Sequence, residues 1–458
     1  MASILKVDKL DPQSGTALEI GTSGDTVTVP SGVSLTLTSS TLSLPTTINT
    51  DKIDPKSAAA LEIGTSGDTI TVPSGATFVV AGTTEITGTN NVQRPPNSQQ
   101  IIINSDMAVS QRATSVAGIG QGDGGYHALD RFKYQEGSTP DAVWTMSQET
   151  LTSGNAWTAG FTTALKMDCT TADPVLISDL TERIDTWLEK NDLNSWKKGT
   201  SNAEKITVAF WIKATKTGTQ IVEFQDQTND RTCSQAYTVD TTDTWEHKVV
   251  NFPADTTGAF GTGNATGLKL RFWLTAGTDY TSSSLQTTWG AASTPNRAEG
   301  QVNNADSTSN NWHLTGVQME IGEFTSSTLP PFQFESYGDN LVRCQRYAYV
   351  ISGDNQVLGF GFGKGSDNVV GPVIFPTTMR SAPTTTTTTL STAFKFQGSK
   401  PDGTGQDQNV DGSANSSEQA GTRGVTYKMG GLSTVGGGST GFFRTNSANA
   451  HLLFSSEL

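Results

Sequence analysis

The sequence predicts an all-β protein, and three observations support this fold class. Only 16% of the 458 residues are charged and 34% are hydrophobic, while glycine occurs 47 times. This composition is typical of short strands joined by turns. Apolar and polar residues alternate in the patterned segments with the period of two that a strand requires. Turn signals such as Pro-Ser-Gly separate these segments, and helical periodicity is scarce.

The first predicted element is a repeated β-module near the amino terminus. The decamer ALEIGTSGDT occurs at 17–26 and again at 60–69, and residues 8–32 agree with residues 51–75 at 20 of 25 positions. Each copy contains alternating Val or Ile and Thr, followed by a Pro-Ser-Gly turn. One such unit has too few apolar side chains to bury a core by itself. We therefore expect three parallel chains to complete it as a trimeric shaft.

Longer strands are predicted after a linker, NNVQRPPNSQQ, at 90–100. KITVAFWIKA at 205–214 and LKLRFWLTAG at 268–277 each place four apolar side chains on one face, which predicts a β-sandwich. The segment DLTERIDTWLEKNDL at 179–193 fits both a helix and a strand, and its periodicity does not decide between them. A third region contains a short predicted helix around Leu341–Gln345, strands and Gly-rich turns. The predicted domains are residues 1–92, 93–335 and 336–458.

Charge and composition argue against several classes of partner. The net charge is -14 and the pI about 4.7, whereas nucleic-acid binding depends mainly on Lys and Arg, so no nucleic acid is expected. No segment approaches the roughly 18 apolar residues of a membrane helix, so no membrane insertion is expected. The start, MASILKVDKLDP, shows no secretory signal. Cys169, Cys233 and Cys344 are far apart and are expected to be buried free thiols.

Motifs for catalysis or cofactor binding are weak, so the chain is not expected to be an enzyme. GQGDGG at 120–125 matches GxGxxG, but without a preceding strand and a following helix it predicts a loop. The four histidines lack metal-ligand spacing, so no metal, cofactor or catalytic residue is predicted. A cluster of carboxylates could suggest glycoside cleavage, but a solvated face is the expected explanation. Its members are Asp179, Glu182, Asp185 and Glu189.

Two tryptophans are the main candidates for ligand binding. Trp211 and Trp273 each follow a core phenylalanine, so they are predicted on the outer side of their strands beside basic residues. An exposed aromatic ring flanked by hydrogen-bonding side chains suits a sugar ring. The alternative is that each tryptophan is covered by a loop, a neighbouring domain or another subunit. Tyr280 and Trp289, in predicted loops, are two further aromatic candidates. Together with the basic neighbours of the two tryptophans, the candidate ligand-binding residues are Trp211, Lys213, Lys269, Arg271, Trp273, Tyr280 and Trp289.

Beyond residue 100, eight segments carry a resemblance to a known family. They are IIINSDMAVSQRA (101–113), ALDRFKY (128–134), ITVAFWIKATKTGT (206–219), WEHKVVNFPADTTGAF (245–260), LTGVQMEIGEF (314–324), FESYGDNLVRCQRYAYV (334–350), FPTTMRSAPT (375–384) and HLLFSSEL (451–458). The first six resemble phage tail fibre proteins in their order, and the last two resemble the distal domain of such fibres. The resemblance covers about residues 101–458.

The resemblance implies a virion component, a homotrimeric tail fibre that recognises the host surface and adsorbs to it by binding carbohydrate. It implies a carbohydrate-binding-like jelly roll at 93–335 and a distal receptor-binding-like β-domain at 336–458. Residues 1–92 would attach to the phage tail or to adaptor or portal-associated proteins, and the ligand would be host polysaccharide or lipopolysaccharide. It also favours a strand at Glu182–Asp185. The alternatives are a purely structural fibre or decoration protein, or a polysaccharide depolymerase.

Overall fold

The structure is a computed structural model, which describes residue 26 and residues 100–365, 367–388, 392–410, 415–432 and 435–458. The chain divides into two compact units, residues 1–85 and 86–458, and all elements below belong to the second. Apart from residue 26, the predicted repeat lies outside the described residues, and so does the trimeric shaft. In the described ranges, 22 strands form four antiparallel sheets and the helices are short, which confirms the all-β fold class.

The first sandwich contains twelve strands and two short α-helices. The strands are β1 (Ser115–Ile119), β2 (Lys133–Gly137), β3 (Val143–Thr150), β4 (Thr163–Thr171), β5 (Thr181–Glu189), β6 (Ile206–Ala214), β7 (Gly218–Asp226), β8 (Arg231–Val239), β9 (Glu246–Phe252), β10 (Thr266–Ala276), β11 (Gly290–Ala291) and β12 (Asn311–Ile321). The helices are α1 (Asn155–Thr158) and α2 (Thr278–Thr281), with 3-10 turns at Lys190–Trp196 and Thr294–Asn296.

Two six-stranded sheets face each other in this sandwich. Sheet A has the order β1-β3-β4-β12-β6-β9, and sheet B the order β11-β8-β7-β10-β5-β2. The predicted inner faces of β6 and β10 are confirmed, because their alternating apolar side chains are at most 2% exposed. These side chains interdigitate between the sheets and form the main core. The predicted loop at 120–125 connects β1 and β2.

The ambiguous segment at 179–193 is a strand, β5, followed by a 3-10 turn. Its carboxylates do not form the expected solvated face. Asp179 is exposed, but Glu182, Asp185 and Glu189 are at most 2% exposed. Glu182 accepts hydrogen bonds from Tyr134, Trp144 and Thr275 at 2.7, 2.8 and 3.0 Å. The expectation was wrong because side chains distant in the sequence supply the donors that allow these carboxylates to be buried.

A second sandwich, called the distal sandwich here because it is nearer to the carboxyl terminus, follows α3 (Tyr337–Gln345). The amino end of α3 is capped by the Ser336 side chain, which accepts from the Asp339 amide at 3.1 Å. This helix confirms the one predicted around Leu341–Gln345. The strands are β13 (Ala348–Ser352), β14 (Val357–Gly363), β15 (Val369–Ile374), β16 (Thr384–Thr387), β17 (Phe394–Ser399), β18 (Gly405–Val410), β19 (Ser416–Gly421), β20 (Gly424–Met429), β21 (Thr440–Thr445) and β22 (His451–Ser455).

Two sheets enclose the distal core, with the orders β13-β22-β16 and β18-β17-β21-β14-β15-β20-β19. Phe443 is buried in this core, whereas Phe442 on the same strand is 54% exposed. The two rings differ because successive side chains of a strand point to opposite faces, and on the outer face Phe442 contacts Phe360 with centroids 5.5 Å apart. The three cysteines are free and buried, as predicted. Among the described helices, none is long and apolar enough to cross a membrane.

Ion pairs connect the two sandwiches. Arg346 donates two hydrogen bonds of 2.8 Å to Glu189, and the Tyr347 hydroxyl donates a third at 2.7 Å. Near the carboxyl terminus, Glu457 pairs with Arg112 at 3.0 Å and also with Arg131. Because the carboxylates are nearly buried, each depends on its cationic partners, and the junction is held by charge as well as by packing.

Candidate functional site

The two candidate tryptophans lie on opposite outer faces of the first sandwich. Trp211 belongs to β6 of sheet A, and Trp273 belongs to β10 of sheet B. Their side chains leave the core in opposite directions because each follows an inward phenylalanine on a different sheet. The seven candidate residues therefore do not form one site. Trp211 and Lys213 share one face, while Lys269, Arg271, Trp273 and Tyr280 share the other.

Trp273 lies on the outer side of β10, as predicted, but its ring is fully buried and is not accessible to a ligand. Its indole N–H donates to Glu223 at 3.0 Å, and its ring packs against Tyr280 with centroids 5.5 Å apart. Tyr280 lies in α2, and Ala298 from the following loop packs in the same cluster. The alternative that a loop covers the ring is the one observed for Trp273. Trp273 and Tyr280 are packing partners here.

The remaining candidates differ in accessibility. Arg271 is 5% exposed and donates to Asp185 at 3.2 Å. Lys269 is half-buried, and burial together with the neighbouring Arg271 lowers its pKa to about 8. Trp289 is half-buried at the sandwich edge, where it stacks on Phe224 with centroids 6.2 Å apart. Its indole N–H donates to the Pro253 carbonyl at 2.9 Å, so its polar edge is already satisfied.

Trp211 lines an open cavity of about 240 Å³ on the outer face of sheet A, which we call the Trp211 cleft. Trp211 is half-buried and is paired across the strands with His247, an exposed residue, with ring centroids 5.0 Å apart and planes inclined by 33°. The two rings contact each other in a tilted arrangement, which we call the Trp211–His247 platform. The rest of the lining is largely apolar and includes Phe161, Gly316, Leu329, Pro330 and Phe332.

Aromatic rings from two loops also line the cleft. Phe161 and Phe332 contact edge to face with centroids 4.8 Å apart, and Phe334 packs on both. Phe161 fits because Gly316 lies beneath it at a bulge in β12, with φ at +62°. A Cβ atom there would lie 2.6 Å from a Phe161 ring carbon. Glycine at this position therefore sets the shape of the cleft floor.

Polar groups surround the apolar lining. The Gln318 amide donates to Glu320 and to the Pro330 carbonyl, both at 2.9 Å, which holds the 325–331 loop against the sheet. Ser326 and the His247 imidazole lie at the cavity with accessible polar atoms. Lys213 lies two residues along β6 from Trp211, where its ammonium is 3.6 Å from Glu149 and 5.3 Å from the Trp245 ring centre. The cleft therefore combines an aromatic platform with hydrogen-bonding groups at its rim.

Sequence reasoning found Trp211 but missed its partners. His247 has a signal, since WEH at 245–247 alternates with the period of a strand and could pair beside Trp211. Phe161 and Phe332 lie in loops without local periodicity, so no pattern indicates them. In the described part of the chain, no group of three or more His, Cys, Asp or Glu side chains could hold a metal ion.

No protein-family model and no curated protein matches the sequence. Among solved structures, the chain is similar to the enzymatically active domain of Bacteriophage CBA120 tailspike protein 4, with 11% identity and a TM-score of 0.24. The match covers 42% of this chain and only 19% of the tailspike chain. A family 11 carbohydrate-binding module from Clostridium thermocellum, in complex with a mixed-linked tetrasaccharide, matches at 10% identity and a TM-score of 0.23, covering 46% of this chain and 98% of that one.

The tandem CBM22 domain of Paenibacillus barcinonensis Xyn10C is a third similar structure. It has 10% identity and a TM-score of 0.21, and the match covers 76% of this chain and 98% of that chain. Likeness at this level does not carry a function from one protein to another. What this chain binds has to follow from its own residues.

Proposed function

We propose that this chain is a homotrimeric phage tail fibre protein of the virion that recognises the host surface by binding carbohydrate in the Trp211 cleft. The observation that carries the binding proposal is the accessible Trp211–His247 platform inside a cavity of about 240 Å³. The resemblance of residues 101–458 to tail fibres supports the virion part. The predicted partners are host polysaccharide or lipopolysaccharide and, through residues 1–92, other tail proteins.

Binding would use the two kinds of surface in the cleft. The C–H face of a sugar ring packs on the Trp211 indole, because the aromatic face is apolar and carries a partial negative charge. The sugar hydroxyls exchange hydrogen bonds with the rim, where a neutral His247 imidazole offers both a donor and an acceptor. Phe161 and Phe332 exclude water from the other side of the ring. The interaction is expected to be specific in orientation but modest in affinity.

A trimeric fibre would compensate for a modest single site. Three clefts on one fibre, and several fibres on one particle, raise the effective concentration of sites at a polysaccharide surface. Adsorption then becomes strong although each contact is weak. The expected assembly is tested by comparing the solution mass of the full chain with that of a variant that starts at residue 93. A monomeric full chain would contradict the homotrimer.

The binding proposal is tested with Trp211→Ala and a matched control, Phe442→Ala, which removes an exposed ring from the distal sandwich. Neutral oligosaccharides of glucose, galactose and mannose are titrated into each protein by calorimetry. We expect at least one to bind the wild type, with about tenfold weaker binding to Trp211→Ala and no change for Phe442→Ala. Equal affinity in Trp211→Ala, or no binding by the wild type, would reject the cleft as the sugar site.

Binding without catalysis is the other part of this proposal. A polysaccharide depolymerase would release reducing ends from purified host polysaccharide, whereas a binding fibre would leave them unchanged during prolonged incubation. Adsorption to host cells separates the proposal from a purely structural fibre. We expect Trp211→Ala to reduce adsorption, and an unchanged adsorption would favour the structural alternative.

A further inference from the structure

The outer face of sheet B, on the side of the sandwich opposite to the Trp211 cleft, holds an excess of positive charge. Strand register places Arg271 between Asp185 and Glu223, and Lys133 opposite Asp185. We call this set the cationic face: the cations Lys133, Arg183, Lys269, Arg271 and Arg297 around the carboxylates Asp185 and Glu223.

The two carboxylates are already occupied by arginines. Asp185 accepts from Arg271 at 3.2 Å, and Glu223 accepts from Arg297 at 2.8 and 3.0 Å. Among the described residues, neither Lys133 nor Lys269 lies within ion-pair distance of a carboxylate. Instead, their ammonium groups lie 4.4 and 4.0 Å from the ring centre of Trp187, which is half-buried. Two lysines therefore converge on one ring without a direct ion pair, and Asp185 is the carboxylate that faces both.

The same face carries buried polar atoms that have no hydrogen-bond partner among the described residues. They are Asp185 Oδ1, Arg183 Nε, Gln225 Oε1, Thr232 Oγ1 and Ser234 Oγ. The residues lie side by side, because Thr232 is paired with Gln225, which in turn is paired with Lys269. Thr232 and Ser234 are completely buried. Asp185 Oδ1 and Arg183 Nε face each other at 3.9 Å, and leaving the other atoms unsatisfied is unfavourable unless water or a ligand completes them.

We propose that the cationic face is a second binding site, for an anionic sugar whose carboxylate or phosphate pairs with Lys133 and Lys269. A sugar hydroxyl would complete Gln225, which is half-buried beside Lys269, and the ring would lie beside Trp187. The ligand class is a polysaccharide with uronic acid or phosphate groups. The proposal does not depend on the Trp211 cleft, because the two sites lie on different sheets.

The charges around Lys269 predict how binding responds to pH. The groups that face it are Lys133, Arg183 and Arg271, with Asp185 as the opposing anion. Burial, and then repulsion by Arg271, lowers the pKa of Lys269 to about 8. A bound anion stabilises the charged ammonium, so affinity is highest below pH 8 and falls as Lys269 loses its proton above it.

The test uses calorimetry of the full chain with oligogalacturonate, a neutral galactose oligosaccharide and inorganic phosphate at pH 6.5. We expect oligogalacturonate or phosphate to bind and the neutral oligosaccharide to bind this face at least tenfold more weakly. Lys269→Met is expected to weaken anion binding about tenfold. The matched control is Lys205→Met, which removes an exposed lysine that pairs with Glu323 at 2.6 Å and should leave binding unchanged.

The proposal would be overturned by no binding of either anion, by equal affinity for Lys269→Met and wild type, or by equal binding of the neutral sugar and the anions to Trp211→Ala, in which the cleft is disabled. If only oligogalacturonate binds, the ligand is a sugar with carboxylate groups. If only phosphate binds, the ligand is a phosphorylated sugar. At pH 9.5 the wild type should bind oligogalacturonate about tenfold more weakly, whereas Lys269→Arg should lose less, because the arginine keeps its charge and only Lys133, whose pKa burial also lowers, can lose a proton. Trp211→Ala should retain anion binding, and its loss there would place the acidic sugar in the Trp211 cleft instead.

Discussion

Phe210 of β6 and Phe272 of β10 meet edge to face in the core, with ring centroids 5.1 Å apart and planes at 83°. This contact joins the two sheets, so the next residue of each strand points away from the other sheet. Trp211 then lines an open cleft, whereas Trp273 is covered by the segment that contains α2. Both strands contain a Phe-Trp dipeptide, but the tryptophan is a binding candidate in β6 and a packing residue in β10.

Replacing Trp273 should cost far more stability than replacing Trp211. Trp273→Ala leaves a cavity and a buried Glu223 that has lost one donor, so we expect a loss of about 3–5 kcal/mol in the free energy of unfolding. Trp211→Ala should lose less than half of that, because its ring is already partly in water. Urea denaturation measures both values. Equal losses would show that the two faces do not differ as described.

Gly316 is expected to tolerate no side chain. Gly316→Ala forces a positive φ on alanine and pushes Cβ into Phe161, so we expect a loss of about 2–3 kcal/mol and a changed cleft. Gly118→Ala is the matched control, since its φ is +77° but nothing lies within 4 Å of the new Cβ. That variant should lose only about 1 kcal/mol. A similar loss in both would mean that backbone strain, and not Phe161, determines the cost.

Glu189 should be the most sensitive residue of the junction between the sandwiches. Glu189→Ala removes the acceptor of Arg346 and Tyr347, and we expect a loss of about 2–3 kcal/mol in thermal or urea unfolding. Glu204→Ala removes an exposed ion pair with Lys197 at 2.6 Å and should cost less than about 1 kcal/mol. If Glu189→Ala behaves like the control, the junction is held by packing alone.

Asp130 should make stability depend on pH. Burial raises its pKa to about 6, from 3.8, although Arg112 and Gln111 oppose the shift. The folded state therefore favours the protonated acid, and this contribution is complete below pH 4 and is lost as the pH rises to about 6. Relative to Asp130→Asn, the wild type should lose on the order of 2 kcal/mol across this range. Urea unfolding at pH 4 and pH 7 measures the difference, and a constant difference would contradict the raised pKa.

The sequence by itself determined the all-β class, the inner faces of β6 and β10, and the position of α3. These features depend on the alternation of apolar residues or on local capping, which are properties of a few neighbouring residues. The outward direction of Trp211 and Trp273 follows from the same alternation. Resemblance to tail fibres correctly favoured a strand at Glu182–Asp185, where periodicity alone was undecided.

Only the tertiary structure decided which outward residues remain accessible. Trp273 is buried by a loop that follows it in the sequence. Trp211 is joined by His247 from another strand and by Phe161 from a loop. The buried carboxylates of β5 are paired with side chains from distant strands. Burial is a property of everything packed around a side chain, and those neighbours lie tens of residues away in the sequence. Local patterning sets the direction of a side chain, whereas long-range packing sets what it meets.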